Sequence, residues 1–279
     1  MKERRSSVTT EMIGTSRTIT VSQKIRYEYS SPIADLYQLL KTFPPARHGS
    51  QYRRRWHLKI NGVESQNTSV TFDEFANLTV ETTAPIVEDI IEFAIEYEVE
   101  IPATFQTHYV TPDTRYLVAT KLTKANSAIK QLAQGQSSHT ITQLCSSIHH
   151  ALVYEWGITN VGTTASQALT GGRGVCQDYA HIMLAACRYL GIAARYVSGH
   201  LPGEGGSHAW VEVLSRPSDD HCDRWIAQGW DPTHNRPTNA DYLVVAVGRD
   251  YSDVAPFSGS YNGDGVTSTL TVDKKLDFV

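Results

Sequence analysis

The sequence predicts an α+β protein, in which a β-sandwich is followed by helices packed on an antiparallel sheet. The first observation behind this prediction is a period of two. From Thr18 to about Val99, apolar and polar residues alternate in short segments, which is typical of half-buried strands. The second observation is that from Ile141 onward apolar residues recur every three or four positions, which indicates amphipathic helices. Because strand-like segments follow those helices, the second half is predicted to mix both kinds of structure.

The N-terminal half is predicted to be an all-β sandwich, because its alternating segments are short and separated by turn signals. Asn61-Gly62 is typical of a tight hairpin turn. Ile33–Leu40 is the exception, since its apolar residues hint at a brief helical turn. This half has no cysteine and no Gly-rich phosphate loop, so we expect it to carry no catalytic chemistry. The alternating segments are 18–21, 24–29, 56–60, 78–82 and 91–97.

A connector separates the two halves. Residues 102–136 contain two prolines and end in a polar stretch with glycine and serine, a composition typical of a domain boundary. We therefore expect residues 17–120 to form the sandwich domain and residues 121–279 the catalytic domain. The polar residues 1–16 are expected to be a disordered lead-in.

The second half is predicted to contain three helices and then three strands. The third helix begins at Cys176, after a glycine-rich approach, and ends before Gly191, because glycine commonly terminates helices. The last strand ends at Asp231, because Pro232 cannot donate to a strand ladder. The helices are expected at 141–152, 163–169 and 176–190, and the strands at 194–198, 208–214 and 224–230.

Composition excludes several classes of function. The formal net charge of −4 offers no basic surface for nucleic acid, whose binding depends on neutralising phosphates. No run of about 18 apolar residues is present, so no membrane span is predicted. The four cysteines lack the paired spacing of a disulfide or zinc framework, so we expect reduced thiols in a cytoplasmic protein.

Cys176 is the candidate nucleophile among these thiols. Glycines let the backbone approach a substrate closely, and the N-terminus of a helix stabilises a thiolate, which predicts a depressed pKa. A buried structural cysteine is the alternative at this position. Cys145 and Cys187 fall on the apolar stripes of their helices and are expected to be inert. Cys222 lies among carboxylates and is expected to be a poor nucleophile.

His208 and Asp231 are the candidate base and its partner. A cysteine nucleophile needs a base, and that base needs an acceptor to orient it. His208 begins one predicted strand and Asp231 ends the next, so antiparallel pairing would place them side by side. Taken singly, a surface histidine and a turn-opening aspartate are ordinary alternatives. The combination with Cys176 predicts a catalytic triad.

Four motifs strengthen this interpretation by resemblance to a known family. Residues 174–181, 191–199, 207–213 and 229–233 resemble the core motifs of the transglutaminase-like superfamily. Residues 73–77, 154–159 and 248–254 are similar to segments of its bacterial members, which carry a separate N-terminal domain. The resemblance implies a papain-like core in which Cys176, His208 and Asp231 form the triad.

The chemistry expected from such a triad is acyl transfer on carboxamide or peptide bonds of a protein or peptide, through a thioester. The Cys176 N–H is the expected first oxyanion donor and Tyr154 a candidate second. A mobile lid is one interpretation of the glycine-rich residues 201–207, and a plain hairpin connection is the other. No metal or organic cofactor is predicted, because no HExxH motif or paired-cysteine spacing is present.

Two alternatives to acyl transfer remain open from the sequence. The first is a cysteine peptidase or amidase that uses the same triad with water as the acceptor. The second is a non-catalytic binding module that retains the fold. The sequence leaves the substrate, the acceptor and the oligomeric state undetermined.

Overall fold

The computed structural model describes residues 16–102, 108–134, 140–217 and 223–278. All but the last residue of the expected lead-in, 1–16, lies outside the described residues. Within them, a β-sandwich is followed by helices and an antiparallel sheet, which confirms the predicted α+β class.

The sandwich consists of two antiparallel sheets that enclose one apolar core. Each alternating segment predicted in this half lies within one of its strands. The alternation explains the packing, because every second residue of the central strand β7 is almost completely buried and inward side chains repeat with a period of two. The strands are β1 (Arg17–Tyr29), β2 (Ile33–Leu40), β3 (Arg47–His48), β4 (Gln51–Asn61), β5 (Asn67–Phe72), β6 (Leu78–Val87) and β7 (Ile90–Ile101).

The predicted helical turn at Ile33–Leu40 is wrong, because this segment is strand β2. Asp35 within it has a left-handed backbone, with φ of 49°. Ile33 and Leu36 are both buried, although they lie three residues apart. A local twist at Asp35 therefore gives a strand the apolar spacing of a helix.

Two C-terminal strands also belong to the sandwich. β16 (Phe257–Asn262) pairs with β2, and β17 (Ser268–Phe278) pairs with β1 along nearly its whole length. The sequence had assigned these residues to the catalytic domain of 121–279, whereas the structure returns them to the N-terminal sheets. Side chains of β17 are mostly exposed, so the strand lacks the apolar alternation by which its partners were recognised.

In the second half, helices cover one face of an antiparallel sheet of strand order β14-β13-β12-β11-β15. The central helix α4 packs on β11 and β12 and is surrounded by the other helices. The strands are β8 (His108–Val110), β9 (Val153–Tyr154), β10 (Arg173–Gly174), β11 (Ala193–His200), β12 (His208–Ser215), β13 (Trp225–Asp231), β14 (Arg236–Pro237) and β15 (Leu243–Gly248). The helices are α1 (Ser127–Gln134), α2 (Ile141–Ala151), α3 (Ala165–Gly171), α4 (Cys176–Tyr189) and α5 (Tyr251–Val254).

The residues predicted as a connector contain structure of their own. Helix α1 packs against α4, and β8 extends the sheet by pairing with β13. The three helices and three strands predicted after residue 140 are present as α2, α3 and α4 and as β11, β12 and β13. The connector is therefore part of the catalytic core rather than a linker.

Two side-chain amides join the sandwich to the catalytic sheet. β15 is an edge strand, and an edge exposes unpaired backbone groups. Gln51 both donates to and accepts from the backbone of Val244 at 2.8 Å. Asn77 makes the same pair of bonds with Val247, also at 2.8 Å. Because the sandwich satisfies the edge of β15, the two halves are held in a fixed register.

Candidate active site

Cys176 is the first residue of α4. The Asp178 carboxylate reaches back to accept a hydrogen bond from the Val175 N–H at 2.8 Å. Gly174 makes room for it, because a Cβ at residue 174 would lie 2.6 Å from Asp178 Oδ2. The first N–H groups of a helix have no carbonyl partner within the helix. The glycine-rich approach thus positions a partly exposed thiol at the positive end of the α4 dipole.

His208 and Asp231 lie together at one end of the sheet. β12 and β13 are antiparallel neighbours, so the start of one strand lies beside the end of the other. The Nε2–H of His208 donates to Asp231 Oδ2 at 2.8 Å. The two side chains are only 1% and 0% exposed. Because Nε2 serves Asp231, the Nδ1 nitrogen of His208 is the one left to accept a proton.

The Cys176 thiol lies against the start of β12, where the backbone N–H of Ala209, the neighbour of His208, bonds its sulfur. Burial raises the pKa of Cys176 to about 12, which outweighs the opposite effect of the N–H groups of Ala209 and Gln177. The expectation of a depressed pKa is therefore wrong for this structure. Burial disfavours the thiolate more than the helix N-terminus favours it.

Asp231 is the most heavily bonded carboxylate of the site. Its Oδ2 accepts from His208, from His234 Nδ1 at 2.8 Å and from the Tyr242 hydroxyl at 2.7 Å. Its Oδ1 accepts from the backbone N–H groups of Thr233 and His234. Although burial raises the pKa of Asp231, the hydrogen bonds from His208 and His234 hold it well below the usual range. The carboxylate is thus ionised throughout the neutral range.

Tyr154 flanks the cysteine on the other side. Its strand β9 pairs with β10 in parallel, so that Tyr154 lies opposite Gly174, two residues before Cys176. Burial and the neighbouring Cys176 raise the pKa of Tyr154 to about 12, so its hydroxyl keeps its proton. The structure thus brings the sequence-predicted oxyanion candidate close to the thiol.

The other cysteines lie away from this cleft or outside the described residues. Cys145 and Cys187 are 1% and 0% exposed, and burial raises the pKa of each to about 12. The prediction for Cys222 falls outside the described residues. Since all three described thiols have raised pKa values, access to solvent distinguishes Cys176 from the other two.

Three residues of the site were missed by sequence reasoning. His234 and Tyr242 donate to Asp231, and Glu204 Oε1 lies 3.2 Å from His234 Nε2. His234 had a signal, because an aspartate that opens a turn commonly accepts from the N–H groups that follow it and so draws the third residue onward over itself. Tyr242 and Glu204 had none, since only the folding of the sheet brings them near.

Two groups among the described residues have a composition that suits metal ions, His208 with Asp231 and His234, and His48 with His108 and Glu212. In the second group, the Arg195 guanidinium already binds Glu212 Oε2 through Nε at 2.7 Å. His48 Nε2 donates to the other oxygen at 2.7 Å. In the first group, Asp231 accepts from three side chains. The carboxylates of both groups are therefore compensated by protein donors.

No helix among the described residues combines the length and apolar character needed to cross a bilayer. The expected cytoplasmic location remains a prediction.

A family comparison agrees with the motifs. Residues 120–229 match the model of the transglutaminase-like superfamily. This segment contains α1 to α4 and the strands that carry His208 and Cys176, and it ends two residues before Asp231. The chain therefore contains a transglutaminase-like core.

Individual relatives extend the comparison. An uncharacterized protein of Mycobacterium leprae is 41% identical over 128 residues, and these cover 42% of this chain and 42% of that protein. An uncharacterized protein of Mycobacterium tuberculosis is 34% identical over 143 residues, or 47% of this chain and 45% of that protein. The chain thus spans less than half the length of these relatives.

A solved structure resembles the whole architecture. A candidate cysteine protease from Cytophaga hutchinsonii superimposes with a TM-score of 0.74 at 19% identity, covering 95% of this chain and 91% of that chain. At this identity the likeness concerns the fold, which includes the sandwich as well as the core.

Proposed function

We propose that this protein is a cysteine-dependent acyltransferase that acts on carboxamide groups of proteins or peptides. The observation that carries the proposal is the 2.8 Å hydrogen bond between His208 and Asp231 beside a cysteine that begins a helix. A nucleophile, a base and an orienting acceptor in contact make up the minimum for nucleophilic acyl transfer. The transglutaminase-like core supports the same chemistry.

In the first half of the reaction, the thiol proton of Cys176 passes to His208 Nδ1 as the sulfur attacks the carbonyl carbon. The raised pKa of Cys176 supports this concerted route over a resting thiolate–imidazolium pair. Asp231 holds the Nε2–H and stabilises the imidazolium that forms. The tetrahedral oxyanion is bound by the Cys176 N–H, with the Tyr154 hydroxyl as the second donor.

The tetrahedral intermediate collapses when the C–N bond breaks and the imidazolium gives its proton to the departing nitrogen. Ammonia leaves a primary carboxamide, and the acyl group remains on Cys176 as a thioester. A primary amine or water then attacks the thioester, His208 takes the proton of the attacking atom, and the thiol is regenerated. An amine produces a new amide bond, and water produces a carboxylate.

The test is incubation of the protein with a glutamine peptide, with and without excess primary amine, followed by mass analysis. The proposal expects loss of ammonia, a thioester adduct on the peptide that contains Cys176, and a new amide when amine is present. The Cys176→Ala variant serves as the control and should form no adduct. Absence of any reaction at glutamine or another carboxamide would overturn the proposal.

The second candidate is a cysteine peptidase or amidase that uses the same residues with water. The fold of a candidate cysteine protease, shared over 95% of this chain, favours keeping it. The two activities share every step up to the thioester, so the bond that breaks distinguishes them. Cleavage of backbone bonds in the peptide, with no change at glutamine, would assign the protein to this class.

A further inference from the structure

His234 lies outside the predicted triad but touches its acid. Its Nδ1 lies 2.8 Å from Asp231 Oδ2, and its ring centroid lies 5.2 Å from that of His208. On its other side, Nε2 lies 3.2 Å from Glu204 Oε1. His234 therefore links Asp231 to the segment of residues 201–207, which we call the 201–207 loop.

Both ring nitrogens of His234 face carboxylate oxygens. An ionised carboxylate only accepts hydrogen bonds, and a neutral imidazole donates only one. The bridge from Asp231 to Glu204 consequently requires the imidazolium form. The hydrogen bond to Asp231 raises the pKa of His234 above its ordinary value, which agrees with this requirement.

The charges around His234 favour the imidazolium. Asp231 and Glu204 raise its pKa, and Arg236 opposes them more weakly. His208 shares the same carboxylate oxygen, and Tyr242 donates to it. The ring is 34% exposed, so the proton can exchange with solvent.

The 201–207 loop has a second anchor at the sandwich. Lys274 of β17 donates to the Gly206 carbonyl and to His200 Nδ1 at 3.1 Å. Burial lowers the pKa of Lys274 to about 8. The loop leads directly into His208, whose side chain is 1% exposed. Its two anchors therefore hold the segment next to the catalytic base.

We propose that His234 is a positioning residue which, when protonated, ties the 201–207 loop to Asp231 and keeps it closed beside the thioester. This role rests on the proposed acyl transfer. As pH rises through the pKa of His234, one of its two nitrogens loses its proton and the corresponding hydrogen bond is lost. The bond to Glu204 is the longer one, 3.2 Å against 2.8 Å, so the loop detaches while Asp231 keeps its donor.

The consequence for the reaction concerns the second acceptor. A closed loop limits the access of water to the thioester, and an open one admits it. The fraction of acyl groups that end on water should therefore rise with pH. The loss of one hydrogen bond shifts an equilibrium roughly two- to tenfold, and the ratio of hydrolysis to amide formation should change by that factor.

The first experiment measures the loop itself. Hydrogen exchange of residues 201–207, corrected for the intrinsic pH dependence, is followed from pH about 6 to about 9. In the wild-type chain we expect protection at the acidic end that falls roughly two- to tenfold on raising the pH. Glu204→Gln should lack this protection throughout. Glu28→Gln, which removes an exposed glutamate paired with Arg26 in the sandwich, should behave as wild type. Equal protection in Glu204→Gln and wild type would overturn the tether.

The second experiment measures the partition of product between water and an amine that is uncharged over the same pH range. The ratio should rise with pH in the wild type and be high and independent of pH in His234→Asn and Glu204→Gln. A merely structural role would lower total turnover without removing the pH dependence of the ratio, and that result would overturn the assignment. If the wild type transfers no acyl group, the proposed function fails, and hydrogen exchange alone decides the tether.

Discussion

Two histidine–carboxylate clusters lie on the same strand, β12, and differ in what neutralises the carboxylate. At its start, His208 bonds Asp231, whose other side-chain donors are His234 and Tyr242. Four residues further on, Glu212 accepts from His48 at 2.7 Å and from Arg195 at 2.7 Å. Arg195 is permanently charged, whereas every side-chain donor to Asp231 is neutral or able to lose a proton.

The difference teaches what separates a catalytic carboxylate from a structural one. Although burial raises the pKa of Glu212, the charge of Arg195 holds it well below its usual range, and so does His48. That charge is already balanced and can do little for a new imidazolium. The charge of Asp231 is balanced mainly by hydrogen bonds, so it can stabilise His208 when His208 takes a proton. Similar residue types thus give an interface at one end of β12 and a candidate base at the other.

The largest effect is expected for the group that only the first cluster has. Cys176→Ala should reduce turnover of a glutamine peptide to the background, because no other described thiol is accessible. Circular dichroism should be unchanged, because alanine is tolerated at the start of a helix. Retention of more than about one per cent of activity would contradict the nucleophile assignment.

Asp231→Asn should lower the rate of acylation by roughly 10² to 10⁴, because the amide leaves His208 in the wrong tautomer. The substitution conserves shape, so the thermal midpoint indicates whether the fold persists. Glu212→Gln is the matched control on the same strand. A comparable loss of rate in both variants would mean that the two clusters do not differ in the way proposed.

Glu212→Gln should instead lower stability by about 3–5 kcal/mol, because it leaves the buried Arg195 without a charged partner. Arg195 and Glu212 are 8% and 6% exposed, respectively. Urea unfolding at neutral pH measures this loss, and the remaining folded protein should keep most of its activity at low temperature. Unchanged stability together with a large loss of rate would reverse the roles assigned to the two carboxylates.

Acid should destabilise the protein through the second cluster before the carboxylates protonate. Burial lowers the pKa of His108 to about 4, whereas in the unfolded chain it is about 6.5. Between these values the unfolded chain binds a proton that the folded chain does not, so stability falls as pH decreases, by at most about 1.4 kcal/mol per pH unit. His108→Gln should flatten the dependence of the urea midpoint on pH between about 6.5 and about 4, and an unaltered slope would refute this contribution.

The smallest effect concerns reagent access. Iodoacetamide should modify Cys176 before Cys145 and Cys187, whose labelling should require unfolding. Because burial raises the pKa of Cys176 to about 12, its labelling should accelerate as pH rises rather than reach a plateau near pH 6. A plateau there would indicate a thiolate–imidazolium pair. Mass analysis of labelled peptides over a pH series checks the order and the slope.

The sequence predicted the parts of the site that coincide with the ends of helices and strands. Cys176 follows glycines at a helix start, and His208 and Asp231 lie at adjacent strand ends, so periodicity alone brings the last two together. The cluster of His48, His108 and Glu212 is assembled from three distant segments. No spacing predicts such an assembly. The raised pKa of Cys176 was missed because it depends on burial, which a local pattern does not contain.

The return of β17 to β1 sets the order in which the molecule can be completed during synthesis. Residues from Ile19 to Tyr29 find their partners only at 268–278, so the first sheet waits for almost the entire chain. Domains generally fold as they emerge, and contacts between distant segments form late because loop closure is costly. The helices around α4, whose partners are close in sequence, can therefore associate first. Until β17 arrives, β1 keeps an unpaired edge, and this is the stage at which the nascent protein is most exposed to aggregation.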